Sequence, residues 1–176
     1  MPSAAIDPEP LIESVTLCVF VCVCVLCLQI TSSDDKKVLV WDYGIPVPIK
    51  YISEPGMHSM PRTALHPNGQ HWIGASMDNI ISVWDANRRF SKKHKKNFRG
   101  PIFAGYAVQP SFSPNGQFLL SGDGEGQLWF WDYRTTKVYR KLRAHNGGPA
   151  IHTLWHPHDP SRVVSCGWDG LIKMYE

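Results

Sequence analysis

Three groups of residues in this 176-residue chain have types and spacing that invite chemistry. Cys18, Cys22, Cys24 and Cys27 crowd into one apolar run, thiols of the kind that ligate zinc or oxidise in pairs. A structural zinc site usually joins two short Cys or Cys/His hooks across a loop, and no second hook is evident. Cys22 and Cys24 would share one strand face, too near in sequence for a stabilising disulfide loop, so the cysteines read as small buried hydrophobes in a reducing compartment. His152, His156 and His158 with Cys166 also have the types of a metal set, but His156 and His158 flank Pro157, which reads as a surface turn. Gly122, Gly124 and Gly126 look like a phosphate cradle, yet no helix N-terminus follows to hold the anion, and a hairpin turn fits better. The chain has no G-x-x-x-x-G-K-S/T loop, H-E-x-x-H helix or G-x-S-x-G elbow. No catalytic residue, cofactor or metal is therefore expected.

The remaining chemistry is charge. The net charge of +3 hides a local excess, because the stretch from Arg88 to Arg99 (RRFSKKHKKNFR) holds 7 Lys or Arg and no acid. The other 11 basic residues face 15 acids, which leaves the rest of the chain at −4. Arg88, Arg89, Lys92, Lys93, Lys95, Lys96 and Arg99 could neutralise RNA phosphates or meet an acidic partner, with Phe90 or Phe98 available for base stacking. Their place between two repeats predicts an exposed loop. Solvated loop charge and a nuclear import signal fit the same residues. Arg134, Lys137, Arg140, Lys141 and Arg143 occupy the corresponding region further on, so two basic patches are expected to adjoin.

The elements that position these groups follow from a recurring eight-residue unit. It reads DNIISVWD from Asp78 to Asp85, and recurs as DKKVLVWD from Asp35, EGQLWFWD from Glu125 and DGLIKMYE from Asp169. The first residues are 43, 47 and 44 positions apart. In each unit an acidic turn leads into alternating apolar residues, as a half-buried strand requires. A second strand precedes each turn, giving hairpins that pair Trp72–Ser76 with Ile80–Trp84, Phe118–Ser121 with Leu128–Trp131, and Arg162–Cys166 with Leu171–Tyr175. A further strand ends in a proline turn: LHPNG at Leu65 to Gly69, FSPNG at Phe112 to Gly116, and LWHPHDP at Leu154 to Pro160. Repeats of about 40–45 residues closed by Trp-Asp resemble the blades of WD-repeat β-propellers, each a four-stranded antiparallel sheet. The fold class is accordingly all-β, a partial propeller of about three blades plus a fragment.

The domain boundaries follow. Residues 1–29 hold no unit, and residues 30–176 form the partial propeller, with a fragment at 30–42 and repeats at about 43–85, 86–132 and 133–176. Leu17 to Leu28 is a run of 12 apolar residues. A spanning helix needs roughly 20, and Asp7, Glu9 and Glu13 stand where a signal peptide would be basic, so membrane insertion is disfavoured and a strand buried on both faces is expected. A closed propeller commonly needs about seven blades, which predicts that the chain is part of a larger ring and, expressed alone, prone to aggregate.

Likeness to the WD-repeat family implies a polar network within each blade, built from a His, a Ser or Thr, the turn Asp and the Trp. The candidates are His145, Ser165 and Asp169 in the last repeat, Ser121 and Trp131 in the one before, and Asp78 and Trp84 in the first full one. They are read as structural, fixing blade shape. Tyr175 replaces Trp in the last repeat and Glu125 replaces Asp in the preceding one, so only partial networks are expected.

The resemblance extends beyond the repeat. YISEPGMHSMP (Tyr51 to Pro61), SMDN (Ser76 to Asn79), AGYAVQPSFSPNG (Ala104 to Gly116), SGDGEGQLWFWDYRTTK (Ser121 to Lys137) and LWHPHDPSRVVSCGWDGLIKMYE (Leu154 to Glu176) resemble the carboxy-terminal blades of the pre-mRNA-processing factor 17 family. This implies a non-enzymatic nuclear scaffold of the spliceosome, acting at the second catalytic step. Its implied partners are spliceosomal proteins, with snRNA or pre-mRNA at the basic stretch. The repeat alone also allows an adaptor in another complex, such as a ubiquitin-ligase substrate receptor, and the apolar run allows a membrane-tethered protein.

Overall fold

The computed structural model describes residues 19–23, 28–86 and 89–176. All the regular elements among them are strands, arranged in four antiparallel sheets in chain order. The first sheet holds β1 (Val19–Val23), β2 (Leu28–Ser32), β3 (Val38–Asp42) and β4 (Lys50–Ile52). The second holds β5 (Arg62–Leu65), β6 (His71–Ser76), β7 (Ile80–Asp85) and β8 (Lys92–Arg99). The third holds β9 (Ser111–Phe112), β10 (Phe118–Gly122), β11 (Gln127–Asp132) and β12 (Val138–Arg143). The fourth has three strands, β13 (Ala150–Trp155), β14 (Val163–Gly167) and β15 (Ile172–Tyr175). The first strands of the sheets touch in succession, β1 on β5, β5 on β9 and β9 on β13. Four blades therefore stand side by side about one axis, the geometry of a partial propeller.

The core confirms this arrangement, because it consists of three slabs, each between consecutive blades. Ile30, Val38, Val40 and Ile52 of the first blade meet Trp72 and Trp84 of the second. Ile81, Val83 and Phe98 of the second meet Leu119, Trp131 and Tyr133 of the third. Leu120 and Leu128 of the third meet Ala150, Trp155 and Val163 of the fourth. The middle strands of the second and third blades are thus covered on both faces, which is why β7 reads IISV before its Trp-Asp rather than alternating strictly with polar residues. Trp72 and Trp84 stack with ring centroids 5.3 Å apart.

Turn chemistry fixes the hairpins where the sequence predicts them. Asn79, Gly126 and Gly170 take positive φ between β6 and β7, β10 and β11, and β14 and β15. The glycine trio is thus part of a hairpin. The division expected at residue 30 falls inside β2, and β1 brings part of the apolar run into the first sheet through pairs from Val19↔Ser32 to Val23↔Leu28. Cys18, Cys24 and Cys27 lie outside the described residues. Each complete blade also takes its last strand from the stretch that the sequence counts with the following repeat.

Candidate nucleic-acid interface

The basic stretch is not a loop. Lys92–Arg99 forms β8, the outermost strand of the second blade, paired with β7 through Ile80↔Arg99, Ile81↔Phe98 and Ser82↔Asn97. A strand forms because Phe98 is fully buried against the third blade, where it meets Trp131 and Tyr133, so one apolar anchor seats a run of cations along the sheet. The counterpart in the third blade is β12, whose Arg140, Lys141 and Arg143 are exposed. Arg99 faces Ile80 and Arg143 faces Gln127, the same register position on two successive outer strands. Arg134 and Lys137 flank the turn between β11 and β12.

Strand geometry divides the cations into two sets. Lys92 lies over the Trp84 ring at 5.5 Å and Lys96 over Tyr133 at 3.6 Å, where each ring's negative face attracts the ammonium. Burial depresses the pKa of Lys96, and burial, with Asp85 nearby, raises that of Tyr133 to about 12. Lys93 pairs with Asp85 at 2.9 Å. Lys95 and Arg99 are exposed, with no side-chain hydrogen bond or ion pair among the described residues. Arg89 is exposed and its carbonyl accepts a hydrogen bond from Lys50 Nζ, while Arg88 lies outside the described residues. Phe90 and Phe98 are buried in interblade packing, so neither is available to stack on a base; this corrects the expectation from sequence.

The predicted networks form unevenly. His145 is fully buried; its Nδ1 lies 2.8 Å from Asp169 Oδ1 and its Nε2 2.9 Å from Ser165 Oγ, tying the entry of the fourth blade to β14 and to the turn that follows it. Burial opposes ionisation of Asp169, but hydrogen bonds from His145 and the Leu171 amide hold its pKa below the usual carboxylate value. Tyr175 does not join. In the third blade the network is built from residues not selected in the sequence. Buried Asp123 accepts hydrogen bonds from Trp129 Nε1 at 2.7 Å, the Gln127 amide at 2.8 Å and the Glu125 amide at 2.9 Å. Ser121 bonds only to the Gly122 carbonyl, and the buried Trp131 and Trp84 indoles have no hydrogen-bond partner among the described residues. Asp78 is exposed, and its neighbour Asn79 instead reaches the third blade, accepting the Phe103 amide at 2.7 Å.

Titration of these groups predicts acid sensitivity in two stages. Burial lowers the pKa of His71, outweighing Asp85 at 3.6 Å, and burial also lowers that of His152. The unfolded chain therefore takes up protons first, and stability falls as pH drops below about 6.5. Burial would raise the pKa of Asp85, but hydrogen bonds from Lys93 and Ser91 lower it overall. Its contribution, like that of Asp169, is present above about pH 3.9 and is lost as pH falls through the lowered native value. Melting temperature measured from pH 8 to 3 should decline from about pH 6.5 and again in the carboxylate range. A flat profile between pH 7 and 5 would contradict the histidine assignment.

His156 Nδ1 accepts the amides of His158 and Asp159, as a turn residue does, while His152 and Cys166 face each other across β13 and β14. Among the described residues no group of three His, Cys, Asp or Glu could hold a metal, and no helix is long and apolar enough to cross a membrane.

Comparison with known proteins agrees with this architecture. A family model described as WD domain, G-beta repeat matches residues 57–85, 94–132 and 136–176. Pre-mRNA-processing factor 17 of Homo sapiens is 49% identical over 147 residues, which is 84% of this chain and 25% of that protein. The protein of the same name from Saccharomyces cerevisiae is 36% identical over 143 residues, 81% of this chain and 31% of its own length. WD repeat-containing protein 25 of Mus musculus is 25% identical over 144 residues, covering 82% of this chain and 27% of that protein. The chain thus spans between a quarter and a third of these curated relatives.

Proposed function

The chain belongs to the WD-repeat family, and on that premise we propose that it is a non-enzymatic scaffold of pre-mRNA splicing. It holds spliceosomal proteins on its blades in the nucleus and acts at the second catalytic step. The observation that carries this reading is the likeness to pre-mRNA-processing factor 17, with nearly half of all positions identical over 84% of the chain. Affinity purification from nuclear extract tests it: spliceosomal proteins and snRNAs should co-purify, and recovery of ubiquitin-ligase subunits in their place would overturn it.

We further propose that RNA meets the outer strands β8 and β12. Lys95, Arg99 and Arg143 are exposed cations on adjacent blades and support the reading, whereas Lys92 and Lys96 lie over aromatic rings within the blades' packing. Lysines on outer strands also deter edge-to-edge sheet pairing, so affinity alone is a poor test. Replacing Lys95, Arg99 and Arg143 by Ala should reduce the slope of log affinity against log salt by about 2, since each single-strand phosphate contact contributes roughly 0.7. An unchanged slope would remove the RNA assignment.

A further inference from the structure

Three Asn-Gly pairs occur in the chain, Asn68-Gly69, Asn115-Gly116 and Asn146-Gly147. Such a pair can react with itself. The glycine amide nitrogen loses its proton and attacks the asparagine side-chain carbonyl carbon, an approach that glycine, without a side chain, hinders least. The new C–N bond closes a five-membered succinimide, and the side-chain nitrogen leaves with that proton as ammonia. Water then opens the ring at one of its two carbonyls, leaving either aspartate or an isoaspartyl linkage in which the main chain runs through the side chain. One water is consumed and one ammonia released.

The fold holds two of the three pairs unreactive. Asn68 and Asn115 lie in the proline turns after β5 and β9, where the Gly69 amide donates to the His66 carbonyl and the Gly116 amide to the Ser113 carbonyl, each at 2.8 Å. A nitrogen whose hydrogen is bonded within the protein resists the proton loss that attack requires. The carboxamides are held as well. Asn68 Oδ1 accepts the Gln70 amide at 2.9 Å, and Asn115 Oδ1 accepts the Gln117 amide at 3.0 Å and the Ser113 hydroxyl at 2.7 Å. Gly69 is half-buried and Gly116 buried. Asn146-Gly147, between β12 and β13, has none of these restraints. Both residues are exposed, and neither the Gly147 amide nor the Asn146 side chain has a hydrogen bond among the described residues.

We propose that Asn146 is a deamidation site, singled out by the fold from three pairs that are alike in sequence, and that its conversion loosens the joint between the third and fourth blades. The span around it is clamped at both ends, because the His145 amide donates to the Gly126 carbonyl and the Ala150 amide to the Asp123 carbonyl, each at 2.9 Å. An isoaspartyl linkage adds one main-chain carbon to this fixed span. Either product also places a new carboxylate near Asp169, since a Cβ on Gly147 would stand 3.3 Å from the Asp169 Cβ. Asp169 is the group that orients His145, so added length and added charge act on the same network. The inference is independent of the splicing and RNA readings, because it rests on hydrogen bonding within the chain alone.

The experiment keeps the whole chain near neutral pH for several weeks and follows each asparagine by peptide mapping, with mass spectrometry reading the change from amide to acid. Asn146 should convert at least about tenfold faster than Asn68 or Asn115. In denaturant the three rates should converge, because each asparagine is then followed by an unrestrained glycine. The aged wild-type chain should melt below the fresh one, whereas Asn146→Gln, which cannot close the five-membered ring, should melt alike before and after ageing. Equal rates in the folded chain, or faster conversion of Asn68 or Asn115, would overturn the site. Rates that stay unequal in denaturant would overturn its selection by the fold, and an unchanged melting temperature after conversion of Asn146 would overturn the effect on the joint.

Discussion

Gly126→Val is expected to destabilise the chain by about 4 kcal/mol or more, enough to remove a cooperative thermal transition. Two independent effects add. Gly126 has φ of +82°, a conformation that a β-branched residue rarely adopts, with strain of about 1–3 kcal/mol. A Cβ at this position would also run into the backbone carbonyl oxygens of His145 and Gly148, the second at 2.7 Å. Those oxygens cannot swing aside, because the Gly126 carbonyl itself accepts the amides of Ala144 and His145 and so binds the hairpin turn of the third blade to the entry of the fourth. Gly170 provides the control. Its φ of +75° is similar but a Cβ there would meet nothing within 4 Å, so Gly170→Ala should cost only about 1 kcal/mol. Chemical denaturation of the two variants measures the difference, and equal losses would show that strain alone, not the interblade contact, governs this turn.

Gly126 also illustrates what could be read in the sequence. The acidic turn followed by apolar residues and Trp-Asp identified the hairpins β6–β7, β10–β11 and β14–β15, because turn residues and alternating burial are local properties. The outer strands β4, β8 and β12 were not legible. β4 has three residues, β8 carries five Lys or Arg to one apolar side chain, and β12 has as many charged side chains as apolar ones with Val138 and Tyr139 exposed, so only the burial of Phe98 and the partial burial of Leu142 distinguish β8 and β12 from solvated loops. The network around His145 was visible through the family pattern, since His145, Ser165 and Asp169 keep its residue types. The equivalent around Asp123 was not, because its partner is Trp129 rather than the Trp131 of the Trp-Asp pair, and the indole packs against Gly100 from another part of the chain. Pairing of that kind depends on which small residue faces which large one across an interface. Periodicity within one repeat does not contain that information.

The fourth blade should drive self-association of the isolated chain, and Ile172→Glu with Met174→Glu should abolish it. Leu154, Val164 and Met174 stand in one cross-strand row and His152, Cys166 and Ile172 in the next. Ile172 is 79% exposed, Met174 63% and Leu154 55%. Their counterparts in the second blade, where Ala64 pairs with Ile73 and Ile73 with Val83, lie in the slab covered by the third blade. The fourth blade therefore presents to solvent the face that the other interfaces bury, on a sheet of three strands whose last edge has no partner strand among the described residues. Covering Leu154, Ile172 and Met174 is worth about 1.5–3 kcal/mol each before the cost of association, which favours a second copy of the chain, or any other apolar surface, over water. Sedimentation velocity across a concentration series should show the wild-type average mass rising with concentration while the double variant stays monomeric. Both substitutions lie on the exposed face of an outer strand, so the variant should melt within a few degrees of wild type. A wild-type chain that remains monomeric at high concentration would mean that the apolar rows of the fourth blade do not need a covering surface.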